Sequence, residues 1–104
     1  MARWDVLRNV SRRGSRDIPY LLDVQADLLS HLHTRVVVPL YRASLIQRPL
    51  SQLQPCFVVE GVDVVMDSPT LVGVPIGALG PLVTNLGSQR DTITRALGFL
   101  FTGV

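Results

Sequence analysis

The chain has 104 residues, enough for one domain and too few for two. With 47% hydrophobic and 17% charged residues it is not a disordered chain, and so few charges leave an apolar or neutral surface for another protein to cover. The net charge of +2 comes from ten Arg and no Lys, and residues 1–16 hold Arg3, Arg8, Arg12, Arg13 and Arg16 against Asp5, a local patch and not a polybasic nucleic-acid tail.

Trp4, Val6, Arg8 and Val10 alternate with Arg3, Asp5, Leu7 and Asn9, and this period of two predicts a first strand. Ser11-Arg12-Arg13-Gly14-Ser15-Arg16 follows. Its loop chemistry reads as a solvated turn, and its charge as a docking point that steers in an acidic partner. Tyr20, Leu22, Val24 and Ala26 alternate with Leu21, Asp23, Gln25 and Asp27, a second strand forming a hairpin with the first. His31 and His33 stand beside Ser30 and Thr34 as loop residues. They lack the further ligands a zinc site needs, so no metal is expected.

Val36-Val37-Val38-Pro39-Leu40-Tyr41 reads as a strand buried on both faces, with Pro39 implying a bulge or an unpaired edge. Gln47-Arg48-Pro49 begins a turn region. Cys56 to Val59 and Val62 to Met66 form a hairpin about Glu60-Gly61. Cys56, the only thiol, reads as a small buried hydrophobe and rules out an intrachain disulfide. Leu71 to Ile76 is read as the last strand.

The charge-free stretch from Ser68 to Gln89 is long enough to span a bilayer, but Pro69, Pro75 and Pro81 and four glycines break it as a helix. With no apolar signal region after Met1, a cytoplasmic protein without a membrane segment is expected. From about Thr84 the period turns helical, through Leu82, Leu86, Ile93, Leu97, Leu100 and Phe101; Ser88-x-x-Asp91 is compatible with a capping box, so both an early and a late start of the helix fit the sequence. Leu97 and Phe101 share a core face, while Phe99, about 200° from Phe101 on an ideal helix, suggests a partner surface. The result is an antiparallel β domain closed by one C-terminal helix.

Catalytic templates fail on this chain. There is no glycine-rich phosphate loop, no lysine for Schiff-base chemistry and no supported Ser-His-Asp or Cys-His spacing, so no cofactor is expected. Arg35 beside His33 is the one acid–base candidate, for RNA cleavage. The same residues read equally as a solvated turn before a buried strand.

Several blocks carry a resemblance over nearly the whole chain. They are Leu22-Asp23-Val24-Gln25-Ala26-Asp27-Leu28-Leu29, Arg35-Val36-Val37-Val38-Pro39-Leu40, Val74-Pro75-Ile76, the helix Arg90-x-x-Ile93-x-x-Ala96-Leu97 and the end Phe101-x-Gly103-Val104. They resemble the CcdB family of toxins from toxin–antitoxin pairs. The resemblance implies a single domain over residues 1–104, mainly β: an SH3-like small barrel with a larger antiparallel sheet, a small side sheet and a C-terminal α-helix. It implies a homodimer without catalytic activity that binds the DNA gyrase A subunit and blocks religation of cleaved DNA. A cognate antitoxin with an acidic disordered C-terminal arm neutralises such a toxin, and contacts any DNA itself.

The resemblance also implies site residues. The family's C-terminal Trp-Gly-Ile falls on Thr102, Gly103 and Val104, its Asn one turn earlier on Gly98, its apolar pair on Leu28 and Leu29, and its N-terminal aromatic on Trp4. These are the expected gyrase-binding residues; the positive charge of Arg8, Arg12, Arg13 and Arg16, set against the acidic arm, makes those four the expected antitoxin-binding ones. Thr102 departs from the family: it lacks the ring whose cation–π contact contributes up to about 2 kcal/mol. The alternatives are a CcdB-like protein that has lost gyrase poisoning, or a MazF-type ribonuclease toxin.

Overall fold

The β-branched run at Val36-Val37-Val38 forms the middle of β3 (Thr34–Arg42), a nine-residue strand on which the sheet is built. In the computed structural model, which describes residues 1–103, six further strands surround it: β1 (Asp5–Arg8), β2 (Tyr20–Asp23), β4 (Cys56–Val59), β5 (Val62–Met66), β6 (Val72–Pro75) and β7 (Leu82–Asn85). All pairings are antiparallel, in the order β4-β5-β3-β2-β1-β7, with β6 branching from β3. The curled half-barrel carries a C-terminal helix, α1 (Arg90–Thr102).

β3 is flanked on one edge by β2 and on the other by two strands in succession: β6 along Thr34–Val37, then β5 along Leu40–Arg42. Pro39 sits between those two partners. Its carbonyl accepts the Asp67 amide at 3.0 Å, so its missing N–H falls on that same edge, where the ladder changes hands. The unpaired position expected from the sequence is therefore an internal gap.

The core is the inner face of this sheet. Val6, Leu22, Val38, Leu40, Val59, Val64 and Met66 retain at most 1% of their surface, as do Ile93 and Ala96 of α1. Burying each large aliphatic contributes about 1.5–3 kcal/mol. Ile93, Ala96 and Leu97 lie three and four apart, which presents one face of the helix to the cluster.

Four expectations change. β7 replaces the early helical start: Leu82 is exposed and Leu86 is buried just before the helix, so their spacing reflects an edge strand followed by a turn. The helix begins at Arg90 after a 3-10 turn at Gly87–Gln89, and no side chain caps it, so the Ser88–Asp91 box is not formed. Cys56 is exposed, because β4 alternates and turns Phe57 and Val59 inward. Phe101 is 69% exposed, whereas Phe99 is half-buried and shares a groove with Leu50 and Leu53.

Gly80 closes the β1 edge. Its N–H donates to the Arg8 carbonyl at 3.1 Å, and a Cβ on Gly80 would collide with that backbone oxygen. Gly80→Ala should therefore cost about 1–3 kcal/mol, read as a lower urea midpoint at unchanged slope.

Candidate functional site

The Asp-Val-Gln-x-Asp block forms a polar clasp behind an exposed turn. Asp23 and Arg35 make a buried ion pair, Nη2 to Oδ2 at 2.7 Å and Nε to the same oxygen at 2.8 Å, with 0% and 1% of the side chains exposed. Asp23 Oδ1 accepts the Gln25 amide at 3.0 Å. Gln25 accepts the Val36 amide at 3.0 Å and donates to the Leu29 carbonyl at 2.9 Å, so one side chain ties the turn to β3. Asp27 accepts the Arg3 amide at 2.8 Å. Burial pushes the Asp23 carboxyl above its ordinary value, against the pull of the Gln25 N–H and of Arg35.

This clasp holds the 3-10 turn Asp27–Leu29 in shape, and the turn displays Leu28 with 88% of its surface exposed and Leu29 beside it. Leu32 and Ile76 are also exposed, and the Ile76 amide donates to the His33 carbonyl at 3.0 Å, which joins their two segments. His31 and His33 lie in the exposed turn between, as expected.

Trp4 lies in the core, 9% exposed, at φ 74°, a conformation rare for a bulky residue. It is held there by its amide on the Asp23 carbonyl at 2.7 Å and by the Leu86 amide on its own carbonyl at 2.9 Å. The Arg3 guanidinium lies 4.2 Å from the ring centroid. Trp4 thus supports the segment that grips Asp27 and presents little surface itself.

At the other end of the chain, the Thr102 hydroxyl donates to the Gly98 carbonyl at 2.7 Å, which brings two of the expected site residues together on one helix face. Gly103 closes α1 at φ 75°, its amide donating to the Phe99 carbonyl at 2.9 Å; this left-handed cap is a structural reason for glycine there. A Cβ on Gly98 would meet nothing within 4 Å, so packing does not demand that glycine. Val104 lies outside the described residues.

Residues 3–103 match the family model described as CcdB protein. The chain belongs to the CcdB family. Membership implies a CcdB-type toxin, and the family is generally non-catalytic. In this family member no helix among the described residues is long and apolar enough to cross a membrane.

The chemistry of Arg35 is corrected by the fold. It is buried in β3 and not in a solvated turn; its guanidinium is spent on Asp23 inside the protein, where no phosphate reaches it. In this CcdB family member that removes the one local candidate for RNA cleavage.

The arginine-bearing loop between β1 and β2 is pinned from both sides. Asn9 donates to the Pro19 and Ile18 carbonyls at 3.0 and 2.7 Å, and Arg42 donates to the Asp17 and Arg16 carbonyls at 2.9 and 2.6 Å. Arg12, Arg13 and Arg16 are exposed. Among the described residues their guanidinium groups make no hydrogen bond or ion pair. Arg8 differs: Nη2 contacts both carboxylate oxygens of Glu60 at 3.1 Å, and the Tyr20 hydroxyl donates to Oε1 at 2.6 Å. Glu60 and Gly61 both have positive φ, 52° and 75°, the type I′ geometry of the β4–β5 hairpin. The Tyr20 hydroxyl and Arg8 hold the Glu60 carboxyl below its ordinary value, with desolvation opposing them, while burial and then Glu60 push the Tyr20 hydroxyl up. In the sequence Tyr20 reads only as a strand residue, Glu60 only as part of a hairpin turn and Arg42 as neither; the signal for this cluster is the charge of Glu60 opposite so many arginines.

Proposed function

We propose that this protein is a gyrase-directed toxin of a type II toxin–antitoxin pair, acting in the cytoplasm as a homodimer that binds the gyrase A subunit and blocks religation. The observation that carries this reading is Leu28: a large aliphatic, 88% exposed, on a turn whose shape a buried polar clasp enforces. An ordered exposed leucine of this kind supports a docking role. Leu29, Gly98, Thr102, Gly103 and Val104 complete the target-binding set, with Trp4 as the support behind it. Phe101 gives this helix end an exposed aromatic one residue before Thr102. Supercoiling and cleavage assays with gyrase from the protein's own host test the reading. Trapped cleaved complexes are expected; their absence, with antitoxin binding intact, would overturn it and leave the reading in which poisoning has been lost.

Arg12, Arg13 and Arg16 are the entry point for the antitoxin's acidic arm, since their charges face solvent unneutralised. Changing all three to Ser should slow antitoxin association about tenfold at low ionic strength and flatten its salt dependence. An unchanged on-rate would make the segment a turn and nothing more.

A further inference from the structure

The contact between Arg8, Tyr20 and Glu60 joins strands that are distant along the sheet. Along the ladder β5 is three strands from β1, about 14 Å in a flat sheet, and only the curl brings the β4–β5 tip to Arg8. The pair is also half-open to solvent, with 47% and 45% of the two side chains exposed. Arg8 uses a single nitrogen for both carboxylate oxygens; Nη1 and Nε make no hydrogen bond among the described residues. This is a carboxylate bound to Arg8 with donors to spare, at the edge of a loop whose other arginines have no acid of their own. Arg42 adds a further positive charge close enough to act on the Tyr20 hydroxyl.

We propose that Glu60 is a built-in competitor: its carboxylate occupies, on Arg8 and Tyr20, the position taken by a carboxylate of an acidic peptide when that peptide docks on the arginine-bearing loop. This rests on the reading of Arg12, Arg13 and Arg16 as the antitoxin entry point and adds the regulation of that same surface. Glu60 fits the role because it sits at a hairpin tip and can swing away without breaking a ladder bond. While it holds Arg8, the competent fraction of the site is reduced, and apparent affinity falls in the same proportion. The occupant is a peptide and not a nucleic acid strand because the loop offers carboxylate donors but no exposed ring for base stacking: Tyr20 and Trp4 are both buried. Tyr20 adds a neutral hydroxyl donor already shown to suit a carboxylate oxygen.

The test measures binding of a fluorescein-labelled synthetic peptide of alternating Asp and Glu to the full-length protein by anisotropy, at low and at physiological salt. Four single variants are compared with wild type, each checked for folding by circular dichroism. Glu60→Gln should bind about threefold to tenfold more tightly, because the competitor is removed while the turn keeps its length. Tyr20→Phe removes a donor that Glu60 and the incoming carboxylate share, so its effect should be smaller than the gain from Glu60→Gln. Arg8→Gln should weaken it. Asp63→Asn, on the same hairpin but without a hydrogen bond or ion pair to Arg8, makes the same change in net charge as Glu60→Gln and should have a smaller effect.

Equal gains from Asp63→Asn and Glu60→Gln would overturn the competition and leave only bulk charge. A peptide that binds wild type and loses affinity on changing Arg12, Arg13 and Arg16 to Ser, but is indifferent to Glu60→Gln, would sink the competitor while sparing the entry point. No peptide binding to any variant, or tighter binding of a single-stranded oligonucleotide than of the peptide, would overturn both.

Discussion

Arg35→Met should destabilise the protein by about 3–5 kcal/mol, the cost of leaving a buried carboxylate without its partner. In a domain of this size each kcal/mol is worth about 4–8 °C, so the melting temperature should fall on the order of 15 °C or more. A loss of that size is a large fraction of the stability of a small domain, about 5–15 kcal/mol, and reaches its lower end. The reason is geometric: both partners are sealed from water, and Asp23 Oδ2 receives both Arg35 donors while Oδ1 is held by the Gln25 amide.

The same variant should show a stronger pH dependence, of known sign. Burial already lifts the Asp23 carboxyl above 3.8, and Arg35 is one of the groups pulling it back. Without Arg35 the folded form holds its proton more tightly still, further above the unfolded form. Arg35→Met should therefore be least destabilised below the ordinary Asp value and should lose stability as pH rises through the raised folded value. Combining it with Asp23→Asn removes both charges yet keeps an acceptor for the Gln25 amide, and should recover most of the loss. Urea melts of the four proteins in this cycle give the coupling directly. A double variant no more stable than Arg35→Met alone would show that the pair is not what holds this region.

The ion pair also shows where the sequence was readable. Val36-Val37-Val38, Glu60-Gly61 and the Ile93, Ala96, Leu97 spacing each announce an element because local pattern and burial agree. β7 was not legible: Leu82, Val83, Thr84 and Asn85 form a short edge strand with a mostly exposed, half-polar sequence, and Leu82 and Leu86 happen to fall at helical spacing. Cys56 misled for a related reason, since an apolar run on an edge strand still alternates between core and solvent. The clasp was legible as a family word but not as chemistry. Asp23, Gln25 and Asp27 are two apart and read as the polar face of a strand, whereas the strand ends at Asp23 and the three side chains bond in three directions. Arg35 lies twelve residues from Asp23, and no local rule pairs them.

What the clasp does is put Leu28 in solvent on a fixed turn, and Leu28→Asp should separate folding from target binding. The side chain is 88% exposed, so the substitution should change stability by no more than about 0.5 kcal/mol. If the proposed gyrase contact buries it, the same leucine would contribute about 1.5–3 kcal/mol of apolar burial per copy. A two-fold dimer counts that loss twice, so affinity should fall at least about a hundredfold. An aspartate forced into the contact adds its own desolvation cost. Inhibition of supercoiling should then vanish at concentrations where wild type is saturating, with an unchanged circular dichroism melt. Antitoxin binding should persist, because the arginine-bearing loop is held by Asn9 and Arg42 and owes nothing to this turn. A Leu28→Asp protein that still traps cleaved gyrase at wild-type potency would move the target surface off the turn and onto the helix end alone, where Phe101 stands exposed beside Thr102.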